Sequence, residues 1–293
     1  MTSTQPKWQG WLMALITTLL FSAIPPITKV LLQNGLETNT FLVIRYVFSS
    51  ILLLSTLAIG QPQNLRVDAR GLAFCFLCGF LYAGAAWTFT QALTYLSSSI
   101  TSMIMAVAPL VTFLLLLLRG EKPTLRMLIR FTLSFIGVYL ILGPGGQVNI
   151  FGVILVLLSC LFYALYMVCL QWFLKNYLAQ TSVLYIILSL TFFITLNWLI
   201  QGPSLQPMSL KGWMFMLFII IGGTYLAQLF LFRAVQVLGS GQMVLFGSLE
   251  IMLTLVWSAL FLSDRLSLLQ WLGCGLILLG MILAIEKRKG VRD

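Results

Sequence analysis

Apolar residues run through this chain in long blocks, and polar residues collect in short gaps between them. Ten blocks of roughly 20 residues can be traced, at about 11–32, 40–59, 71–94, 98–118, 127–143, 150–174, 182–201, 212–236, 241–262 and 268–286. Each is long enough to cross a bilayer as a helix, since a residue adds about 1.5 Å of rise and the hydrocarbon is about 30 Å thick. The gaps carry turn chemistry or charge: GQPQNLRVDARG, RGEKPT, GPGGQVN, QGPSLQPMSLKG and SDRLS. Two gaps are very short, near Tyr95–Ser99 and Leu238–Gly241. The pattern predicts an all-α integral membrane protein of ten transmembrane helices.

The two short gaps are related. The string starting at Ala92 aligns with the string starting at Ala234: Ala92 with Ala234, Leu96 with Leu238, Ser98 with Ser240 and Thr112 with Thr254, all 142 residues apart. Beyond them Glu121 aligns with Asp264 and Gly137 with Gly280, at an offset of 143. A duplicated unit of five spans must reinsert upside down, because an odd number of crossings reverses the second copy. The expected organisation is two inverted five-helix repeats, 1–146 and 147–293.

Composition narrows the class. The 293 residues are 60% hydrophobic and only 8% charged, with a mean hydropathy of +1.03, so no large soluble domain fits beside the spans. The net charge of +10 comes from basic residues at helix ends and in loops, which argues against a nucleic-acid partner. With the N-terminus cytoplasmic, twelve of the 17 basic residues fall on the cytoplasmic side, and only Lys211 and Arg265 fall outside. Lys29, Arg45 and Arg233 lie in spans or near their ends. Both termini are therefore expected on the cytoplasmic face of a bacterial inner (plasma) membrane. The first apolar run is too long for a cleavable signal and lacks a small-residue cleavage site.

Several chemistries drop out. The chain has no histidine, which removes Ser-His-Asp and Cys-His nucleophiles and His-ligated metals. Cys75 and Cys78 form a C-x-x-C, but all five cysteines lie in apolar blocks and read as packing residues. No P-loop is present. No cofactor, no metal and no enzyme activity are expected.

The candidate transport residues are those that a bilayer makes expensive. Glu250 sits about nine residues into the ninth block with no charge near it in sequence. A carboxylate at that depth must be paired, wetted or protonated, so it reads as a proton-coupling or cation-binding group. Arg233, Lys29 and Arg45 are candidate gating or coupling residues, or interface anchors that snorkel. Phe21, Tyr82, Trp87, Phe89, Tyr163, Tyr166, Tyr225 and Phe230 are aromatics at plausible cavity depth, and Gln91, Gln171, Gln228 and Gln242 could add hydrogen bonds there. The substrate-binding set is Phe21, Tyr82, Trp87, Tyr163, Tyr166, Tyr225, Gln228 and Glu250. Pro25-Pro26 should kink or break the first helix and Pro109 the fourth, leaving free carbonyls that face a cavity. Gly79, Gly84, Ala85, Ala86, Gly222, Gly223, Gly273, Gly275 and Gly280 read as close-packing positions.

The string LFSAIPPITKVLLQNGLETNTFLVIRY resembles the opening of an EamA-type transporter of the drug/metabolite transporter superfamily. Lys29 and Arg45 match the family's Lys at the end of the first helix and Arg early in the second. Phe21-Ser22 stands where the family tends to have Trp-Gly. LSCLFYALYMVCL resembles the sixth helix. Pro109 and Glu121 match a Pro and a following Glu, whereas Ile251 and Asp264 replace them in the second half. The resemblance implies a ten-helix inverted-repeat fold with a central cavity lined mainly by helices 1, 3, 4, 6, 8 and 9. It also implies export of small organic metabolites such as amino acids, amines or drugs by alternating access. The expected partners are a small-molecule solute and the lipid bilayer, and the expected state a monomer or homodimer. The same fold would also suit a carrier of a lipid-like or polyprenyl-linked substrate.

Overall fold

A computed structural model describes residues 7–60, 62–65, 67–117, 125–142, 148–174, 177–204, 206–238 and 240–282. Helices α1 (Lys7–Gln33), α2 (Thr38–Gly60), α3 (Ala69–Tyr95), α4 (Ser98–Met105), α5 (Ala108–Leu117), α6 (Leu125–Leu142), α7 (Ile150–Phe173), α8 (Ala179–Gln201), α9 (Leu210–Leu217), α10 (Ala227–Leu238), α11 (Ser240–Leu262) and α12 (Leu268–Ile282) account for most of them. A short 3-10 turn follows α2, and a π-helical stretch, Phe218–Leu226, joins α9 to α10. There is no strand among the described residues.

Among the described residues six helical stretches are long and apolar enough to span a membrane: Trp8–Gln33, Thr38–Gly60, Ala69–Tyr95, Ile150–Leu170, Gln180–Gln201 and Leu210–Leu231. Leu249–Leu262 and Leu268–Leu279 are shorter apolar helices. The outside of the bundle carries large apolar side chains such as Ile59, Phe135, Ile200 and Leu260, a surface that suits lipid and not water. Several Thr side chains inside the bundle are satisfied locally. Thr18, Thr88, Thr90 and Thr112 each return a hydrogen bond to the carbonyl four residues back.

Side chains close several helix starts, as the unpaired first-turn amides require. Asp68 accepts from Gly71 N at the start of α3, Ser97 from Ile100 N before α4, and Asn149 from Phe151 N and Gly152 N before α7. Gly202 ends α8 with φ +93°, a left-handed turn that glycine makes without steric cost.

The helices pair closely. α3 lies along both α7 and α8, α1 along α10 and α11, α6 along α12, and α2 along α8, while α4 and α5 pack against α7. Glycines set the closest approaches. A Cβ on Gly79 would meet Ser189 at 2.4 Å, and Cβ atoms on Gly137 and Gly273 would each run into the other's carbonyl oxygen, at 2.7 and 2.5 Å.

Two features bear on the prolines of the sequence reading. Pro25 and Pro26 lie inside α1 without breaking it. Each removes one hydrogen bond of the helix, and the packing of α1 against α10 and α11 holds the remainder in place. The fourth block is interrupted at Ala106–Val107, just before Pro109. Ala106 N bonds both Ser102 O and Met103 O, and Val107 N bonds Ile104 O, so the chain tightens for one turn and restarts at Ala108.

Candidate functional site

A cavity of about 450 Å³ sits within the bundle, a size typical of small-molecule sites. α1 contributes Phe21 and Pro25, α2 Arg45 and Tyr46, α3 Tyr82 and Phe89, and the α4–α5 break Met105 and Ala106. α7 contributes Ser159 and Tyr163, α8 Ile187, the π stretch Thr224, α10 Gln228, and α11 Phe246, Glu250 and Thr254. Helices 2 and 7 of the sequence count thus join the wall through Arg45, Tyr46 and Ile187. The carbonyl of Phe21 loses its helical donor to Pro25, and both residues line the cavity, as expected for a freed backbone group at that depth.

The wall is mostly apolar with a few polar groups. Arg45 Nε donates to Thr224 Oγ1 at 3.0 Å, and the guanidinium lies 4.9 Å from the centre of the Tyr46 ring. Thr224 in turn bonds Ile219 O, five residues back, the wider spacing of a π turn. Glu250 interacts electrostatically with Tyr163. Its carboxylate has no hydrogen bond or ion pair among the described residues. Tyr82 stacks on Tyr166 with ring centres 4.9 Å apart and interacts electrostatically with Arg45 and Tyr163. Ser102 Oγ is buried without a hydrogen-bond partner among the described residues.

The structure brings together Phe21, Arg45, Tyr82, Phe89, Tyr163, Gln228 and Glu250. It places the others elsewhere. Trp87 donates through Nε1 to Asn39 Oδ1 at 2.8 Å, at the start of α2. Tyr166 lies behind Tyr82, buried beside Cys78 and Cys169. Tyr225 pairs with Thr56 Oγ1 at 2.6 Å, turned towards α2. Phe230 is half-buried outside the lining, and Arg233 is exposed. Gln91 lines a shallow polar recess with Glu37, Asn39 and Gln201. The side chains of Gln171, Gln242 and Pro109, and all of Glu121, lie outside the described residues.

Lys29 also lies outside the cavity lining. Its ammonium donates to Leu93 O at the end of α3 and interacts electrostatically with Asp264. Ser99 donates to Asp264 Oδ2 at 2.9 Å, and Ser98 and Ser258 share a buried hydrogen bond of 2.7 Å. Trp257 Nε1 donates to Ser22 Oγ at 3.1 Å. These bonds lace α1, α3 and the start of α4 to the end of α11.

Sequence reasoning missed the hydroxyls of the wall: Thr17, Thr18, Thr90, Ser102, Ser159, Thr224 and Thr254. One signal could have found some of them. Seven pairs of lining residues stand 142 apart: Thr17 and Ser159, Phe21 and Tyr163, Arg45 and Ile187, Tyr82 and Thr224, Ala86 and Gln228, Phe89 and Leu231, Ala108 and Glu250. The repeat offset applied to Tyr82 leads directly to Thr224.

With six clear membrane spans and no strand among the described residues, a lipid-suited exterior and a solute-sized interior cavity, this is a multi-pass membrane protein of the transporter kind. Residues 8–143 and 150–285 each match the model of the EamA-like transporter family, and the chain belongs to that family. Its fold is similar to that of a solved crystal structure, with a TM-score of 0.67 over 94% of this chain and 96% of that one at 16% identity. A comparison with curated proteins found no match.

Proposed function

We propose that this chain is a secondary carrier that exports small amphipathic organic solutes across a bacterial plasma membrane by alternating access. The carrying observation is the interior cavity, whose wall combines aromatic surface with a carboxylate, Glu250, that no described residue neutralises. Glu250 is the coupling group in this reading, exchanging a proton as the cavity changes its exposure.

Ten crossings and two inverted repeats, 1–146 and 147–293, form the framework. α4 with α5 makes one span, as does α9 with the π stretch and α10. The packing supports this count. Exchanging α1 with α7, α2 with α8, α3 with α9–α10, α4–α5 with α11 and α6 with α12 turns the α3–α7 pair into α10–α1, and α1–α11 into α7–α4–α5. The pairs α2–α8 and α6–α12 map onto themselves. The seven lining pairs at an offset of 142 favour a pseudo-two-fold axis through the cavity. With both termini cytoplasmic, the Lys29–Asp264 end faces outward and the lacing there acts as the outer gate. One chain supplies every residue of the cavity wall, so a monomer, alone or within a homodimer, is the working unit.

The test is solute uptake and counterflow in proteoliposomes under an imposed pH gradient. Saturable, gradient-driven flux that loses its dependence on the gradient in Glu250→Gln, with counterflow persisting at higher solute concentration, is the expected result. Flux without saturation or counterflow would refute a carrier. Full gradient dependence in the variant would refute coupling through Glu250.

A further inference from the structure

Arg45 and Glu250 are the two charged residues among the described residues that line the cavity, and they have opposite sign. They are not paired with each other. Arg45 uses its Nε on Thr224 Oγ1 and its face on Tyr46, which leaves the outer guanidinium nitrogens without an anion among the described residues. Glu250 has no bonded partner among them. Tyr82 lies near Arg45 and Tyr163, and Tyr163 near Glu250. The two charges are thus out of contact with each other, and a tyrosine stands beside each.

The two poles also break the internal symmetry. At the repeat offset, the counterpart of Arg45 is Ile187 and that of Glu250 is Ala108, and all four line the cavity. Each half contributes one charge where the other half has an apolar side chain. Helix packing does not need that asymmetry, because Ile187 and Ala108 fill the equivalent positions without charge.

A low-dielectric cavity makes any unpaired charge expensive. With Glu250 ionised, an amine entering alone would neutralise it and leave Arg45 bare. A carboxylate entering alone would do the reverse. A solute with both charges satisfies both poles at once and adds no net charge to the membrane interior. We propose that the solute is a zwitterion, its cationic group held by Glu250 and its anionic group by Arg45. Phe21, Phe89 and Phe246 form the apolar surface for its body. Ser102 Oγ, buried and unpartnered in the same wall, supplies a further hydrogen-bonding group to the solute's charged end. This assignment rests on the carrier reading above and specifies its substrate class.

The test uses matched triples that share one apolar body and differ only in charge. One triple is phenylalanine, phenethylamine and 3-phenylpropionate; a second is norleucine, pentylamine and hexanoate. Equilibrium binding to the wild-type protein in lipid nanodiscs is measured for each. The zwitterion is expected to bind at least about tenfold more tightly than either singly charged member, because each of those leaves one buried pole unpaired. Glu250→Gln should shift the preference towards the carboxylate, and Arg45→Gln towards the amine. The wild-type comparison stands even if a variant fails to fold. An amine or carboxylate that binds as well as its zwitterion would overturn the assignment, and so would failure of both zwitterions to bind. Saturable uptake of some other solute would then leave the carrier intact. Absence of uptake for every solute tried would overturn both.

Discussion

The contact between α6 and α12 permits a stability prediction with an internal control. Gly273 and Gly137 bring two helix backbones together, and a Cβ on Gly273 would stand 2.5 Å from Gly137 O and 2.9 Å from Ile141 Cγ1. Restoring ordinary contact requires the helices to separate by roughly 1 Å, which forfeits dispersion along the seam. Overpacking of this kind costs about 1–3 kcal/mol. Alanine returns up to about 1 kcal/mol through helix propensity. The net effect of Gly273→Ala is a loss of about 0–2 kcal/mol. Gly275, two residues on, has nothing within 4 Å of its Cβ position, so Gly275→Ala should be neutral or mildly stabilising. The assay is thermal unfolding in one detergent, read by a thiol-reactive dye, since all five cysteines are free and buried until the bundle opens. A Gly273→Ala protein at least as stable as Gly275→Ala would refute the claim that backbone contact holds this pair. The variant's binding affinity per folded molecule should match the wild type, because neither helix lines the cavity.

Other outcomes follow from single contacts. Asp264→Asn combined with Ser99→Ala removes the charge opposite Lys29 and the 2.9 Å bond across the end of α11, so a cysteine introduced at Tyr95 should label faster with an impermeant maleimide; an unchanged rate would count against a gate there. Cys78 and Cys169 place their sulfurs 3.0 Å apart on α3 and α7, so copper–phenanthroline should join the two halves of a chain cleaved between residues 146 and 147, and Cys78→Ser should abolish the cross-link on a non-reducing gel. Arg45→Lys keeps the charge but loses the Nε bond to Thr224, and zwitterion affinity should fall by about fivefold to tenfold; an unchanged affinity would show that the fork geometry is dispensable.

Much of the bundle was legible in the order of apolar and polar residues. The third block, expected at 71–94, is Ala69–Tyr95, and the short gap after it falls between Tyr95 and Ser98. Hydropathy marks where a helix enters and leaves the membrane because that is where the solvent changes. It does not fix rotation about the helix axis. Trp87 and Phe89 have equal claims by depth, yet Phe89 lines the cavity while Trp87 turns to Asn39. Tyr225 misses the cavity by one position, because its neighbour Thr224 takes the inward face. The π stretch around them was invisible, since a widened turn depends on what packs beside it and no residue type commands it. Charge was no surer a guide than aromatic character: Arg45 and Glu250 line the cavity, where a bilayer leaves a buried charge few other places to go, but Lys29 and Arg233 do not.

The way the two poles depart from the repeat has a further consequence. If the cavity's shape is the same seen from either side of the membrane, then its left and right are told apart by chemistry alone. A chain with Arg45→Ile, Ile187→Arg, Ala108→Glu and Glu250→Ala would hold the same two poles, each handed to the opposite half. It would be the original pocket turned over, and a substrate bound there would sit head for tail. Which way round a molecule travels through this protein would thus be written in four side chains and not in the architecture around them.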